Sequence, residues 1–509
     1  MLIAILAVFL ITVTALSAHL WPVWMDEVLL TDPAANLFLG HGFTSSAWYY
    51  QPRDEFWACN APLYALLLFV WLKLFGLHIT TTRLFNYLFI SLAIGLIWWS
   101  VKRLKLVATM RDRFILLGLI LLSYGVSFNY LSGRYDCLAI VLFSALLLAY
   151  TFAPSLPRTI ALIGIGFFIP LSGFHLVPYV AILAAMLFPF LGKPMLKPFV
   201  QVVVGITLGL IAAVALYSSY GVLDTFIETV GGHTLSGLNI VPDSAKDASV
   251  TQKMLFVLMN IIPILEERFR GIVTWYVQDG SFLLLMGAAI ALAFIQRSNR
   301  QFQWRSPLGF GLLAGLAVPL VMGLLRNYPE YYAWMAIIPL SIGIGSTLAG
   351  FQHSLLRRSG SLVVVILLLA SGVPGLPRYL VPSLWHWQDR NYERVEQFVQ
   401  AHISPQEFVY SDFAPYYAIR KRVETVLFPT YLDVMTDEEK SEVSTLILDL
   451  GQRHENYQNI GLFDRLGGDW YETNAVLNTS QFELRIFRRQ SAISDGKMPL
   501  LSHRERLPS

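Results

Sequence analysis

Charge is scarce in this chain. Of 509 residues only 14% are Asp, Glu, Lys or Arg, against 55% hydrophobic, and the mean hydropathy is +0.55. That scarcity excludes a soluble protein of ordinary build, whose surface would need more polar cover than this composition supplies. Cysteine is nearly absent as well: Cys59 and Cys137 are the only two, which excludes a disulfide framework and a cysteine-rich metal site. They read as two partly buried free thiols, with a single bridge between them as the alternative. Internal repeats, low-complexity tracts and inverted-repeat symmetry are missing, and no basic patch is present, which excludes nucleic acid as a partner. The opening MLIAILAVFLITVTALSAHL lacks a positive n-region and an A-x-A cleavage site, so it reads as an uncleaved first span.

Apolar runs are what the chain has in abundance. After the opening segment they fall near 61–77, 84–101, 114–130, 137–152, 159–171, 174–191, 198–218, 281–296, 307–325, 331–350 and 361–379, a pattern expected of bilayer-crossing helices. The chain therefore reads as a polytopic α-helical membrane protein. Lys102, Arg103, Lys105, Arg111 and Arg113 share one linker. Later linkers carry Arg158, then Lys193 and Lys197, then Arg297, Arg300 and Arg305, then Arg357 and Arg358. These groups occupy alternate linkers and so share a side, which the lysine and arginine excess marks as cytoplasmic.

The other side then holds LSGRYD, SGFH, the 219–280 loop, LLRNYPE and everything after residue 379. The segment APLYALLLFVWLKLFG decides where the first loop lies. If it spans, Asp26 and Glu27 are cytoplasmic; if it does not, there are about 11 spans and both acids lie outside. It is short, begins at Pro62 and ends in Lys73 and Gly76, as helices lying in the interface often do, which favours the second arrangement.

Beyond residue 380 charged residues become frequent and no run is long enough to span. The pattern predicts a small α/β domain over 381–490: a helix over 391–402, a strand at 407–411, a helix, a strand at 423–428, a helix over 436–450 and a last strand at FELRIFRR. The polar tail over 491–509 is expected to be disordered.

The ionisable groups at the outer rim form a candidate site. They are Asp26, Glu27 and Asp32 after the first span, Asp54 and Glu55, Arg83, Arg134 and Asp136 in SGRYD, His175 in SGFH, and Arg326, Glu330 and Tyr331 in RNYPEYYAW. Several have plainer readings: Arg83 and Arg134 as helix-end snorkellers, Arg134 with Asp136 as a local ion pair, His175 as a structural hydrogen bonder. Asp26 and Glu27 resist such a reading, because no basic residue lies near them in sequence. Adjacent carboxylates point in different directions, so they do not make the facing pair of a retaining glycosidase, about 5 Å apart. One acid facing the reaction suits a single displacement, in which it takes the proton of an attacking hydroxyl while a phosphate leaves. Arginine is the natural partner of such a phosphate. A divalent cation is left open: the acid pair with Asp136 or His175 could hold one, although no recognised ligand spacing is present.

The ordered set MDEVLLTDPAANLFLGHGF, NAPLYALLLFVWLKLFGLHITTTRLFNYLF and SGRYDCLAIVLFSALLLAY, over roughly residues 20–150, resembles the GT-C glycosyltransferases. Within them it is most similar to the branch of protein O-mannosyltransferases, aminoarabinose transferases and RgtA-like enzymes (glycosyltransferase family 39-like). Weaker similarity follows at YYAWMAIIPLSIGIG and in the C-terminal domain. The resemblance implies a GT-C fold with about 11 transmembrane helices plus a non-spanning interfacial helix, followed by a small soluble α/β domain. It implies a catalytic domain over 1–380, with a first external loop at 21–83 and a second at 219–280, and a 381–490 domain on the exoplasmic or periplasmic side.

It also implies a sugar donor carried on a polyprenyl phosphate, and inverting transfer to a lipid, glycan or protein hydroxyl, at the bacterial inner membrane. By that analogy Asp26 is the catalytic acid, Glu27 its neighbour that places the acceptor or holds a metal, and Arg83 the arginine of the second span. Arg134 and Arg326 are assigned to the lipid phosphate from their positions; Asp136, His175 and Tyr331 complete the expected substrate site. The 219–280 loop is expected to cover a prenyl groove between the spans. Two departures, a single Pro62 after Asn60-Ala61 and Arg83-Leu84-Phe85 in place of Arg-Leu-Pro, leave the acceptor open. The alternative is a transporter or lipid flippase with an outer acidic site. Such proteins place charge near the bilayer midplane on repeat-related broken helices, whereas here the charges gather at one rim.

Overall fold

The apolar runs fold as helices, and two of them break. The computed structural model describes residues 15–49, 51–235, 255, 259, 261–278, 280–298, 300–325, 328–350, 359–451 and 461–490. It divides into two units, Met1–Arg394 with Thr430–Val434, and Val395–Pro429 with Met435–Ser509.

In the first unit α1 is Met25–Leu39, α2 Leu63–Phe75 and α3 Ile79–Arg103. They are followed by α4 Met110–Leu122, α5 Tyr124–Leu131, α6 Asp136–Tyr150, α7 Leu156–Ser172, α8 Leu176–Leu191, α9 Leu196–Ser219 and α10 Leu223–Leu235. Then come α11 Ile261–Gln278, α12 Gly280–Ser298, α13 Pro307–Leu325, α14 Trp334–Gly350, α15 Ser359–Gly372 and α16 Leu376–Trp385. Among the described residues four helices are long and apolar enough to cross a membrane, or six if each bent pair counts as one span. α2, with 13 residues, is about 20 Å long, short of the roughly 30 Å hydrocarbon core.

The runs expected as single spans at 114–130 and 361–379 are instead broken: α4 and α5 meet at 67°, α15 and α16 at 50°. Hydropathy does not register such a break, because both halves stay apolar. The two breaks lie against each other. A Cβ on Gly375 would sit 1.8 Å from the Leu122 carbonyl oxygen and 2.8 Å from the Tyr124 nitrogen, so no side chain fits there. The Tyr124 N–H, released from the helical ladder, donates to Ser281 Oγ at 3.2 Å. Irregular backbone inside an apolar bundle persists where protein groups take up its hydrogen bonds. The core of this unit gathers around Trp334, Met335, Ala336 and Ile337 of α14, with Ile140 of α6, Ile120 of α4 and Leu285 of α12, all buried. Cys59 and Cys137 are both free and buried; burial pushes the Cys59 thiol up to about 12.

The second unit carries a five-stranded sheet in the order β2-β1-β3-β5-β4, with β1 Val409–Ser411, β2 Val426–Leu427, β3 Thr445–Asp449, β4 Trp470–Asn478 and β5 Glu483–Arg489. β1 runs parallel to β2 and β3, and β5 antiparallel to β3 and β4. Two expectations are corrected. The helix expected over 436–450 covers only Asp437–Glu442; a capping box at Thr436 and Glu439 starts it, and the following apolar run enters the sheet as β3, buried along its whole length. Periodicity alone does not separate a short buried strand from a helix. β4 was not expected; it is an edge strand with no buried residue, and its sequence WYETNAVLN lacks a clean alternation of apolar and polar residues. The tail over 491–509 lies outside the described residues.

Candidate active site

The helix α1 starts where the acids stand. Asp26 and Glu27 occupy its first turn, where the helix dipole favours negative charge. Successive residues of a helix point about 100° apart, and the two carboxylates meet different partners.

Glu27 turns inward. Both it and Arg83 of α3 are 0% exposed. Arg83 Nε donates to Glu27 Oε1 at 2.8 Å and Nη2 to Oε2 at 2.6 Å. The other N–H groups of Arg83 donate to the carbonyls of Ala18, Trp21 and Pro22. A guanidinium has five N–H donors, and here all five bond within the chain. Arg83 and Glu27 thus tie the segment before α1 to the start of α3.

Asp26 faces the other way and keeps 22% of its side chain exposed. Its Oδ2 accepts from Nη1 of Arg134, which is 1% exposed. Arg134 Nε donates to Asp136 Oδ2 at 2.9 Å, and Asp136 Oδ1 accepts from Trp334 Nε1 at 3.0 Å. The guanidinium lies over the Tyr331 ring, 3.8 Å from its centroid, with the rings of Tyr332, Trp24 and Tyr135 at 5.4–5.6 Å. Burial by itself would lower the Arg134 guanidinium; Asp136, then Tyr331 and Asp26, outweigh it and hold the group well above its ordinary value. Two of its five N–H donors are engaged by Asp26 and Asp136. The other three bond to no described residue.

Arg134 sits on a short loop that three side chains fasten. Tyr64 Oη donates to the Gly133 carbonyl at 2.8 Å, Asn86 Nδ2 to the Arg134 carbonyl at 2.8 Å, and Trp24 Nε1 to the Ser132 carbonyl at 3.1 Å. Gly133 has φ +68°, and a Cβ there would lie 2.9 Å from Glu27 Cγ. The loop that carries Arg134 therefore rests on the Glu27–Arg83 pair.

His175 stands further off: its Nδ1 lies 3.4 Å from Tyr135 Oη, which is 3.2 Å from Tyr332 Oη. Asp32 is buried and accepts from Ser45 Oγ and the Ser46 N–H, fixing the loop after α1. Glu330 accepts from Tyr124 Oη at 3.2 Å; burial raises its carboxyl above the ordinary range, against the opposing effects of Tyr124, Arg134 and Arg378. Arg326 lies outside the described residues, as does most of the stretch between α10 and α11 expected to form a cover. No three His, Cys, Asp or Glu side chains among the described residues come together to hold a metal ion. The acids present do not fit one either, since Arg134 lies between Asp26 and Asp136, and Arg83 takes both oxygens of Glu27.

Sequence reasoning singled out Asp26, Glu27, Arg83, Arg134, Asp136 and Tyr331, which the structure brings close together. It missed Tyr64, Asn86, Trp24 and Trp334, uncharged residues that act through single hydrogen bonds to a loop or to Asp136. Only Gly133, next to Arg134, carried a legible hint of a tight turn.

No protein-family model matches the chain, and no curated protein sequence is similar to it. Solved structures are. ArnT from Cupriavidus metallidurans bound to undecaprenyl phosphate superposes with a TM-score of 0.62 at 12% identity, over 97% of this chain and 99% of that one. The same protein in its apo state gives 0.55 at 13% identity, over 96% and 97%. The oligosaccharyltransferase of Archaeoglobus fulgidus gives 0.45 at 13%, over 92% and 72%. At these identities the likeness to ArnT is one of fold, and the chain has the GT-C fold, a helical membrane unit with several apolar helices followed by a small α/β unit.

Proposed function

We propose that this protein is a glycosyltransferase that moves a hexosyl or pentosyl unit from a polyprenyl-phosphate donor to an acceptor hydroxyl, with inversion. One observation carries the reading: of the two adjacent acids, Asp26 alone stays partly exposed, paired with a buried guanidinium whose remaining N–H donors bond to no described residue. A carboxylate beside spare guanidinium donors suits a displacement in which a hydroxyl loses its proton to Asp26 while a phosphate departs toward Arg134. The ArnT structure that shares this fold holds undecaprenyl phosphate, which supports a lipid phosphate as the leaving group.

In this reading the hydroxyl oxygen attacks the anomeric carbon, its proton passes to Asp26, and the carbon–oxygen bond to the phosphate breaks with its electron pair on the phosphate. Asp136 holds Arg134 in orientation and Tyr331 supports the face of its fork. Glu27 and Arg83 position the Gly133–Arg134 loop rather than contact the sugar. Asp26 and Asp136 together outweigh the single charge of Arg134, so phosphate binding calls for a second cation, and we assign it to Arg326. We further propose that His175 lines the site through Tyr135, that these groups face the outside of a bacterial inner membrane, and that the C-terminal unit lies on the same side. The acceptor is a lipid, glycan or protein hydroxyl.

The test is incubation of the purified protein with a panel of polyprenyl-phosphate sugars. Release of polyprenyl phosphate from one donor is expected, and consumption of none would instead favour the transporter reading. A cysteine placed beside residue 26 and labelled by an impermeant reagent on intact cells checks the side; labelling only after lysis would overturn the outward assignment.

A further inference from the structure

A second feature lies at the other end of the bundle. The start of α8 follows His175, and Ser281 at the start of α12 receives the Tyr124 N–H, so both helices begin at the Asp26 end. Their far ends, with the first turns of α13, enclose a crevice of about 530 Å³. Its walls include Phe190, Phe294, Phe302, Trp304, Leu313 and Leu316, and its lining carries Arg297 and Arg305, both exposed. Neither guanidinium makes a hydrogen bond or ion pair with a described residue.

No acid answers them. The sequence has no Asp or Glu from Cys137 to Val222, nor from Gly280 to Pro329, the stretches that supply the crevice walls and the nearby Lys193, Lys197 and Arg300. The walls are built by close packing. Phe302 and Trp304 meet edge to face at 5.1 Å, as do Phe190 and Phe310 at 5.5 Å. A Cβ on Gly309 would lie 2.1 Å from the Trp304 carbonyl oxygen. The turn carrying Trp304 and Arg305 is thereby pressed onto the start of α13. From Ile290 to Arg297 the crevice runs about 10 Å along α12, apolar for its length and cationic at one end.

We propose that this crevice binds one anionic phospholipid, an acyl chain lying along the aromatic and leucine walls and the headgroup phosphate held between Arg297 and Arg305. The apolar walls select a chain, and two cations without a protein counter-charge select an anionic head over a zwitterionic one. Basic pockets between membrane helices act in this way.

The test uses the full-length protein in detergent. Phosphatidylglycerol and phosphatidylcholine with identical acyl chains are titrated and bound lipid is counted by native mass spectrometry. At two arginines, phosphatidylglycerol should bind on the order of tenfold tighter. The double substitution Arg297→Ala/Arg305→Ala should erase that preference, weakening phosphatidylglycerol more than phosphatidylcholine, while Ala293→Phe, which fills the crevice and keeps both arginines, should weaken both lipids. Glycerol 3-phosphate, the head without chains, should not compete. Equal binding of the two lipids to the wild type, a preference that survives the double substitution, binding unaffected by Ala293→Phe, or competition by glycerol 3-phosphate would each overturn the proposal.

Discussion

Glu27→Gln separates the two halves of the acid pair. In the native protein both carboxylate oxygens accept from Arg83, at 2.8 and 2.6 Å, with both side chains fully buried. An amide keeps one acceptor and turns an NH₂ group toward the second N–H of the fork, so one charged hydrogen bond is lost and a buried cation loses its counter-ion. A charged hydrogen bond contributes about 1.5–3 kcal/mol, and breaking a buried ion pair costs about 3–5 kcal/mol. The three carbonyls that still accept from Arg83 soften the loss, which places the expected destabilisation near 3 kcal/mol at the low end of that range. Thermal unfolding in detergent, at one scan rate for both proteins, should give a clearly lower apparent Tm, whereas Asp26→Asn should unfold close to the wild type. Activity of Glu27→Gln should fall together with its folded fraction. A Glu27→Gln protein as stable as the wild type, yet inactive, would refute the positioning role and put Glu27 on the substrate.

The other expectations concern the same centre. Gly133→Ala adds a Cβ 2.9 Å from Glu27 Cγ at φ +68°, and should cost about 1–3 kcal/mol, read as a drop in apparent Tm. Arg134→Lys keeps a charge but loses the fork that spans Asp26 and Asp136; loss of one charged bond should lower donor turnover on the order of 10–100-fold, checked with saturating donor. Because burial raises the Glu330 carboxyl, the folded protein holds that proton more tightly than the unfolded chain. Its contribution to stability is therefore greatest below the ordinary carboxylate value and falls as pH rises through the raised one. Glu330→Gln should lift the apparent Tm above that pH and leave it unchanged in acid, as unfolding scans across pH would measure.

Much of the site was legible because charge in an apolar chain is conspicuous. Asp26, Glu27, Arg134 and Asp136 stand out of WPVWMDEVLL and SGRYD, and alternation of basic linkers grouped them. What a residue does once there was not legible. Arg83 read as a helix-end snorkeller or, by the resemblance, as a substrate-binding arginine of the second span, yet its reach to three backbone carbonyls depends on how residues 18–22 fold back, which no spacing encodes. The breaks at Ser123 and near Gly375 escaped hydropathy because they exist only where two helices meet. In the second unit the run TLILD reads equally as helix or strand, and pairing with β1 and β5 decides for the strand.

The central claim is that Asp26 takes the proton of the acceptor. The most direct measurement compares wild type and Asp26→Asn for donor binding and for single-turnover sugar transfer, using the donor identified from the panel and protein of matched thermal stability. The account predicts unchanged folding, retained donor binding and a rate reduced on the order of 10²–10⁴-fold, the usual contribution of a general base. Transfer by Asp26→Asn at a rate near that of the wild type would contradict it.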